Sequence, residues 1–153
     1  MLNIKPFRQK PGYCGPASLK MVLSYFGVEK SEMSLVRLSK CSKDKGATAE
    51  NLLKAAKKLG FKGFIKDYSD FKDVKRFLKK KIPVIVDWFS VDEGHYSVVV
   101  RVDGKKIYLQ DPELGRLKIM KLKEFKTVWF DFPGPFLKSE KDLIIRSMIV
   151  IHK

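Results

Sequence analysis

Tyr96-Ser97-Val98-Val99-Val100-Arg101-Val102, Asp103-Gly104, Lys105-Lys106-Ile107-Tyr108-Leu109-Gln110 is the stretch whose reading sets the architecture. Two runs rich in β-branched residues flank an Asp-Gly pair, which accepts the backbone that a tight hairpin needs, so the segment predicts two antiparallel strands. Upstream, Ile82-Pro83-Val84-Ile85-Val86-Asp87-Trp88-Phe89 is a further strand, with its Pro near the start, where a missing donor is tolerated. Downstream, Leu117 to Leu122 reads as a weaker strand, Lys123 to Trp129 as a helical turn, and Leu143 to Ile151 as a closing strand.

Before about Lys81 the apolar period is helical instead. Gly15-Pro16 opens a first helix carrying Leu19, Val22, Leu23 and Phe26, and Gly27 ends it. A second runs from Ser31 through Leu35, Val36 and Leu38. Thr48 caps a third, with Leu52, Leu53, Ala56 and Leu59 before Gly60, and Asp70 caps a fourth, with Phe71, Val74, Phe77 and Leu78 on one face. Helices first and an antiparallel sheet second is the α+β pattern, with N-terminal helices packed on a C-terminal sheet, in one domain spanning residues 1–153. At this length a chain buries roughly 68–70% of its unfolded surface and needs no disulfide or metal staple.

The 153 residues hold 32 Lys and Arg against 17 Asp and Glu, a formal charge of +15. Such a surplus first suggests a polyanion partner. Most of it is Lys spread over every segment, whereas Arg, the side chain that forks onto phosphate, is confined to Arg8, Arg37, Arg76, Arg101, Arg116 and Arg146. Lys79-Lys80-Lys81 closes a helix, where cations complement the dipole. The pattern favours a solvated surface, with attraction of an acidic peptide or acidic partner protein as the functional alternative and no nucleic acid expected. There is no signal-peptide core and no window approaching a membrane span, so the expected setting is cytoplasmic. Cys14 and Cys41 are too few for a disulfide framework or a four-Cys zinc site, and no metal or other cofactor is expected.

Cys14 stands just before a helix N-terminus, where backbone N–H groups and the dipole favour a thiolate; inert packing is the alternative. His95 is one of two histidines, the other, His152, being a tail residue, and it follows the loop-like Asp92-Glu93-Gly94. If Val102-Asp103-Gly104 form a three-residue loop, Val99 faces Ile107, Ser97 faces Leu109 and His95 faces Asp111, which sets a carboxylate beside an imidazole. A two-residue loop instead places His95 opposite Pro112, and Asp111 is otherwise a turn-initiating Asp-Pro. Trp129-Phe130-Asp131-Phe132-Pro133-Gly134-Pro135-Phe136 is either a packed loop closing the sheet or a wall of a groove. Cys41 is given no role.

Gln9-Lys10-Pro11-Gly12-Tyr13-Cys14-Gly15-Pro16-Ala17-Ser18-Leu19 through Gly27 resembles the active-site helix of the bacteriocin-processing, double-glycine leader peptidases, which are papain-like cysteine peptidases. Lys81-Ile82-Pro83-Val84-Ile85-Val86, then Gly94-His95-Tyr96-Ser97-Val98-Val99-Val100 with Asp111-Pro112 and Gly115, agree with that family in order and spacing, so the resemblance covers roughly Phe7 to Leu122. It implies a papain-like fold and a cysteine endopeptidase acting on a peptide or protein substrate, with a preference for Gly before the cleaved bond. It also implies Cys14 as nucleophile, His95 as base, Asp111 as the group orienting the imidazole, and Gln9 as an oxyanion donor beside the Cys14 N–H. Gln9 is five residues before Cys14, where the family usually has six. Many members are domains of peptide transporters, and this chain, ending at Lys153, is expected to be a stand-alone domain. A catalytically silent peptide-binding module on the same frame is the second reading, and a basic nucleic-acid-binding protein the third.

Overall fold

Helix α1 (Cys14–Tyr25) begins with Pro16 in its first turn, where the missing N–H costs nothing, and stops before Gly27, whose φ of +86° is left-handed. The computed structural model describes residues 1–91 and 93–153. Ser31 Oγ accepts from the Ser34 N–H to start α2 (Glu32–Leu38), and Thr48 Oγ1 accepts from the Asn51 N–H to start α3 (Ala49–Lys58). At α4 (Phe71–Lys79) the cap is reciprocal: Asp70 accepts from the Asp73 N–H at 2.9 Å and Asp73 from the Asp70 N–H at 3.0 Å. These caps and periods follow the sequence expectation.

The main sheet contains β1 (Lys62–Lys66), β2 (Val84–Ser90), β3 (Glu93–Val102), β4 (Lys106–Asp111) and β5 (Arg116–Lys121), with β8 (Ser147–His152), in the order β1-β8-β2-β3-β4-β5. All of its pairings are antiparallel. Helix α5 (Leu122–Val128) follows β5, and β6 (Phe130–Asp131) pairs with β7 (Ile144–Ile145) in a separate two-stranded ribbon. Alternation along the strands sends side chains to two cores. Ile85, Val98, Val100 and Ile149 meet Leu19, Val22, Leu23, Leu35 and Leu52 of α1, α2 and α3. Val84, Val86, Trp88, Val99, Ile107 and Met148 meet Val74 of α4, Phe125 of α5 and Trp129. The architecture is α+β, with helices on both faces of the sheet.

Four details depart from the sequence reading. The stretch before Lys81 is not wholly helical, because Lys62–Lys66 pairs with Met148–His152 as the edge strand β1. Glu93 and Gly94 lie inside β3 rather than in a loop, and Asp92 lies outside the described residues. The closing strand is broken at Arg146, whose φ is +45°; its N–H donates to the Trp129 carbonyl and its Nε to the Ser69 carbonyl. The hairpin register also differs. Val102 pairs with Ile107 and Arg101 with Tyr108, while a bulge before Arg101 puts Val99 opposite Leu109 and Val98 opposite Gln110. Asp103 builds the turn by accepting from the N–H groups of Lys105 and Lys106, each at 2.8 Å. Continued one step, this register sets Asp111 level with Ser97, so His95 and Asp111 share a face on the diagonal rather than directly opposed.

Candidate active site

Cys14 is the first residue of α1 and is half-buried. Tyr13 supplies no side-chain cap, and no acidic residue stands in the first turn, so the free N–H groups and the positive end of the dipole are left to the thiol. The turn before it is tight: Gly12 has φ +85°, and a Cβ there would lie 2.7 Å from Cα and 2.7 Å from the carbonyl oxygen of Lys43.

His95 is 4% exposed on β3, with the edge of Trp88 against its ring at 5.6 Å between centroids. Its Nε2 lies 2.6 Å from Oδ1 of Asp111, itself 4% exposed. The carboxylate can only accept, so Nε2 carries the proton in that bond and Nδ1 is left for another partner. The same Asp111 oxygen accepts from the Glu113 N–H at 3.0 Å, and Glu113 Oε2 stands 4.0 Å from Nδ1. Burial opposes a charge on the ring, but hydrogen bonds to Asp111 and to Cys14, with the negative charge of both, outweigh it and push the His95 pKa up to about 10. Thiol, imidazole and carboxylate are thus brought together in that order.

Gln9 is tied beside them through its backbone, whose N–H donates 2.8 Å to the Pro112 carbonyl. Its side-chain Nε2 donates to the Lys10 carbonyl at 3.3 Å, and its Oε1 is buried without a donor. The structure therefore places Gln9 next to the Asp111-Pro112 corner with its amide turned onto its own backbone. Burial, then the charges of Cys14 and Glu32, push the Cys41 thiol up to about 11, and its Sγ faces the Gly12 carbonyl at 3.7 Å. It stays a thiol. The His152 ring, at the end of β8, has its Nδ1 2.8 Å from the Lys153 carbonyl.

The aromatic loop divides: Trp129 is core, its Nε1 donating to the Ser147 carbonyl, while Phe130 and Phe132 stack on Phe89 and Phe136 is 62% exposed. Three site neighbours escape the sequence reading as such. Trp88 was visible only as strand core, Glu113 only as loop, and Asp87 is a lone carboxyl inside an apolar strand, a signal that sequence alone offers. Among the described residues no group of three or more His, Cys, Asp or Glu is placed to hold a metal ion. Two surface hollows, one lined by Lys30, Ser34 and Arg37 and the other by Lys72, Lys75, Arg76, Lys79 and Lys80, include none of the four candidate residues.

A family model described as the Peptidase C39 family matches residues 7–132. The lactococcin-G-processing and transport ATP-binding protein LagD of Lactococcus lactis is 31% identical over 136 residues, 84% of this chain but 18% of LagD. The crystal structure of the peptidase domain of Streptococcus ComA, a bi-functional ABC transporter involved in a quorum-sensing pathway, superposes with a TM-score of 0.78 at 26% identity, covering 97% of this chain and 98% of that one. A double glycine motif protease from an AMS/PCAT transporter, solved in complex with the leader peptide, shares the fold with a TM-score of 0.72 at 22% identity, over 98% of this chain and 91% of that one.

Proposed function

The chain belongs to the peptidase C39 family, and from that premise we propose that it is a cysteine endopeptidase whose nucleophile is Cys14, with His95 as acid and base and Asp111 as the orienting carboxylate. The observation that carries this reading is the buried 2.6 Å contact between His95 Nε2 and Asp111, in a ring on which Cys14 also acts. The thiolate attacks the peptide carbonyl carbon, and the electron pair moves to the oxygen. The Cys14 N–H at the uncapped start of α1 faces that oxyanion, and Gln9 Nε2 joins it once it leaves the Lys10 carbonyl. Collapse of the intermediate breaks the C–N bond as the His95 imidazolium gives its proton to the departing amine, leaving a thioester. Neutral His95 then takes a proton from water, hydroxide adds to the thioester, and Cys14 leaves as thiolate.

The relatives support a peptide substrate cleaved after small residues such as Gly-Gly, since one solved structure is named a double glycine motif protease bound to a leader peptide. Among the described residues no helix is long and apolar enough to cross a membrane; both cysteines are free, as a reducing compartment such as the cytoplasm would keep them. The test is cleavage of a synthetic leader peptide ending in Gly-Gly before a reporter. Wild-type protein is expected to cleave it, and Cys14→Ala to lose both cleavage and labelling by a thiol-reactive peptide electrophile. Binding without cleavage by the wild type, unaltered in Cys14→Ala, would establish the silent peptide-binding module instead.

A further inference from the structure

Asp87 sits in the middle of β2, in an otherwise apolar run, and is 3% exposed. Its Oδ1 is buried with no hydrogen-bond donor. An ionised carboxylate left so is costly, and the chain, with 32 Lys and Arg, had cations to spare. None is used: among the described residues neither Asp87 nor Asp131 has an ion-pair partner.

The group that does approach Asp87 is a second acid, Asp131. Phe130 and Phe132 stack on Phe89, with ring centroids 5.1 and 5.3 Å apart, and Phe89 is paired with Gly94 across β2 and β3. Between those two rings in sequence, Asp131 lowers its carboxyl onto Gly94. A Cβ at Gly94 would lie 2.2 Å from Oδ1 and 2.3 Å from Oδ2 of Asp131, so only glycine admits it. Asp87 meanwhile pairs with Tyr96. The two carboxyls therefore bracket His95 along β3, one over the residue before it and one opposite the residue after it.

Among the described residues, the other titratable groups that act on Asp87 are acidic or already engaged. Cys14 on α1 and Asp67 after β1 add negative charge, and the Tyr96 hydroxyl donates to the Ala47 carbonyl at 2.9 Å. Glu50 on α3 stands behind Tyr96, and Asp131 Oδ1 accepts from the Phe132 N–H at 2.7 Å. Among the described residues, a proton is the one donor left for the contact between the acids. We propose that Asp87 and Asp131 hold one proton between them, and that this acid–carboxylate pair is a positioning element that seats the Phe130–Phe132 segment on Gly94 and so fixes the His95 ring against Cys14. Burial, the Asp131 contact and charge, and the charges of Cys14 and Asp67 all hold the Asp87 carboxyl well above the usual carboxylate range, as a shared proton requires. Without that proton two like charges face each other in a buried contact, and the segment loses its seat.

The effect on turnover rests on the peptidase reading, whereas the shared proton does not. Infrared spectra of the full chain at neutral pH are expected to show the C=O absorption of a protonated carboxylic acid, and Asp87→Asn to lack it. In leader-peptide cleavage, Asp131→Ala is expected to lower kcat on the order of 10-fold with KM little changed, because the ring is displaced rather than the substrate site. Asp131→Asn, whose amide donates without a shared proton, is expected to restore kcat to within about 3-fold. Should Asp131→Ala fail to fold, Asp131→Leu keeps the volume without the hydrogen bond and takes its place. Absence of the carboxylic acid band in an active wild-type enzyme, or equal kcat in the Ala and Asn variants, overturns the proposal. A wild type that shows the band but cleaves no peptide removes the peptidase reading and leaves the shared proton standing; the rate of Cys14 alkylation then reports the positioning.

Discussion

His95 holds a proton against its own burial, which makes the imidazole a contributor to stability as well as the proposed acid and base. Its folded pKa of about 10 exceeds the unfolded value of about 6.5, so the folded state binds the proton more tightly. The resulting stabilisation, on the order of a few kcal/mol, is fully present below about pH 6.5 and is lost as pH rises through about 10. Urea titrations at pH 6, 8 and 10 are expected to show a falling midpoint, with a much shallower fall in His95→Gln. Removing a negative partner weakens the effect: in Cys14→Ala the His95 pKa, followed by NMR of the ring protons, is expected to drop. Peptide cleavage is expected to lose activity on the alkaline side near pH 10, where the His95 imidazolium gives up its proton. Asp111→Asn keeps the size of the side chain but not the demand for a proton on Nε2; it is expected to lower kcat by about 10²–10⁴ with the fold intact.

Elements deliver those residues to one place, and the two that matter most are the turn into α1 and the β3–β4 hairpin. Gly12 is the hinge of the first. Gly12→Ala introduces a side chain at φ +85° and against the Lys43 backbone at 2.7 Å. A fall in stability of more than about 1 kcal/mol is expected in denaturant titration, together with slower alkylation of Cys14, two residues on. Much at this scale was legible, because the determinants are local. Ser31, Thr48 and Asp70 cap helices with their own oxygens, and Asp103-Gly104 makes a turn whatever surrounds it. What was not legible depends on distant partners. The bulge before Arg101 shifts the pairing, so the His95–Asp111 contact is diagonal, a register that neither of the two turn lengths read from the sequence provides. Lys62–Lys66 has too short a pattern to declare itself and becomes a strand only because β8 lies beside it. Arg146 breaks the last strand to reach the Trp129 and Ser69 carbonyls, which no local reading contains. Asp87 and Asp131 are far apart in sequence and meaningful only as a pair.

Across the whole molecule the charge is divided by place rather than merely in excess. One exposed flank of α4 gathers Lys72, Lys75, Arg76, Lys79 and Lys80 around a hollow, and the one acidic side chain within that helix, Asp73, is already engaged by Lys66 at 2.8 Å. Around His95, by contrast, stand Asp111 at 2.6 Å and Glu113 at 4.0 Å, with the imidazole between them. A field with this arrangement attracts an acidic peptide from a distance and leaves the bond-breaking step to short-range contacts. The two ranges respond differently to salt, since ions screen exposed charges beyond about 8 Å at physiological ionic strength but act little inside a buried site. Cleavage of a leader peptide carrying several Glu residues is therefore expected to lose kcat/KM several-fold between low and high salt, while a neutral peptide with the same cleavage sequence keeps its value and both keep their kcat. Lys72→Glu with Lys75→Glu and Lys79→Glu, remote from the thiol, should flatten that salt dependence without lowering kcat. An acidic peptide cleaved at a salt-independent kcat/KM, or a triple variant with an unaltered salt slope, would show that the net charge of +15 serves solubility alone.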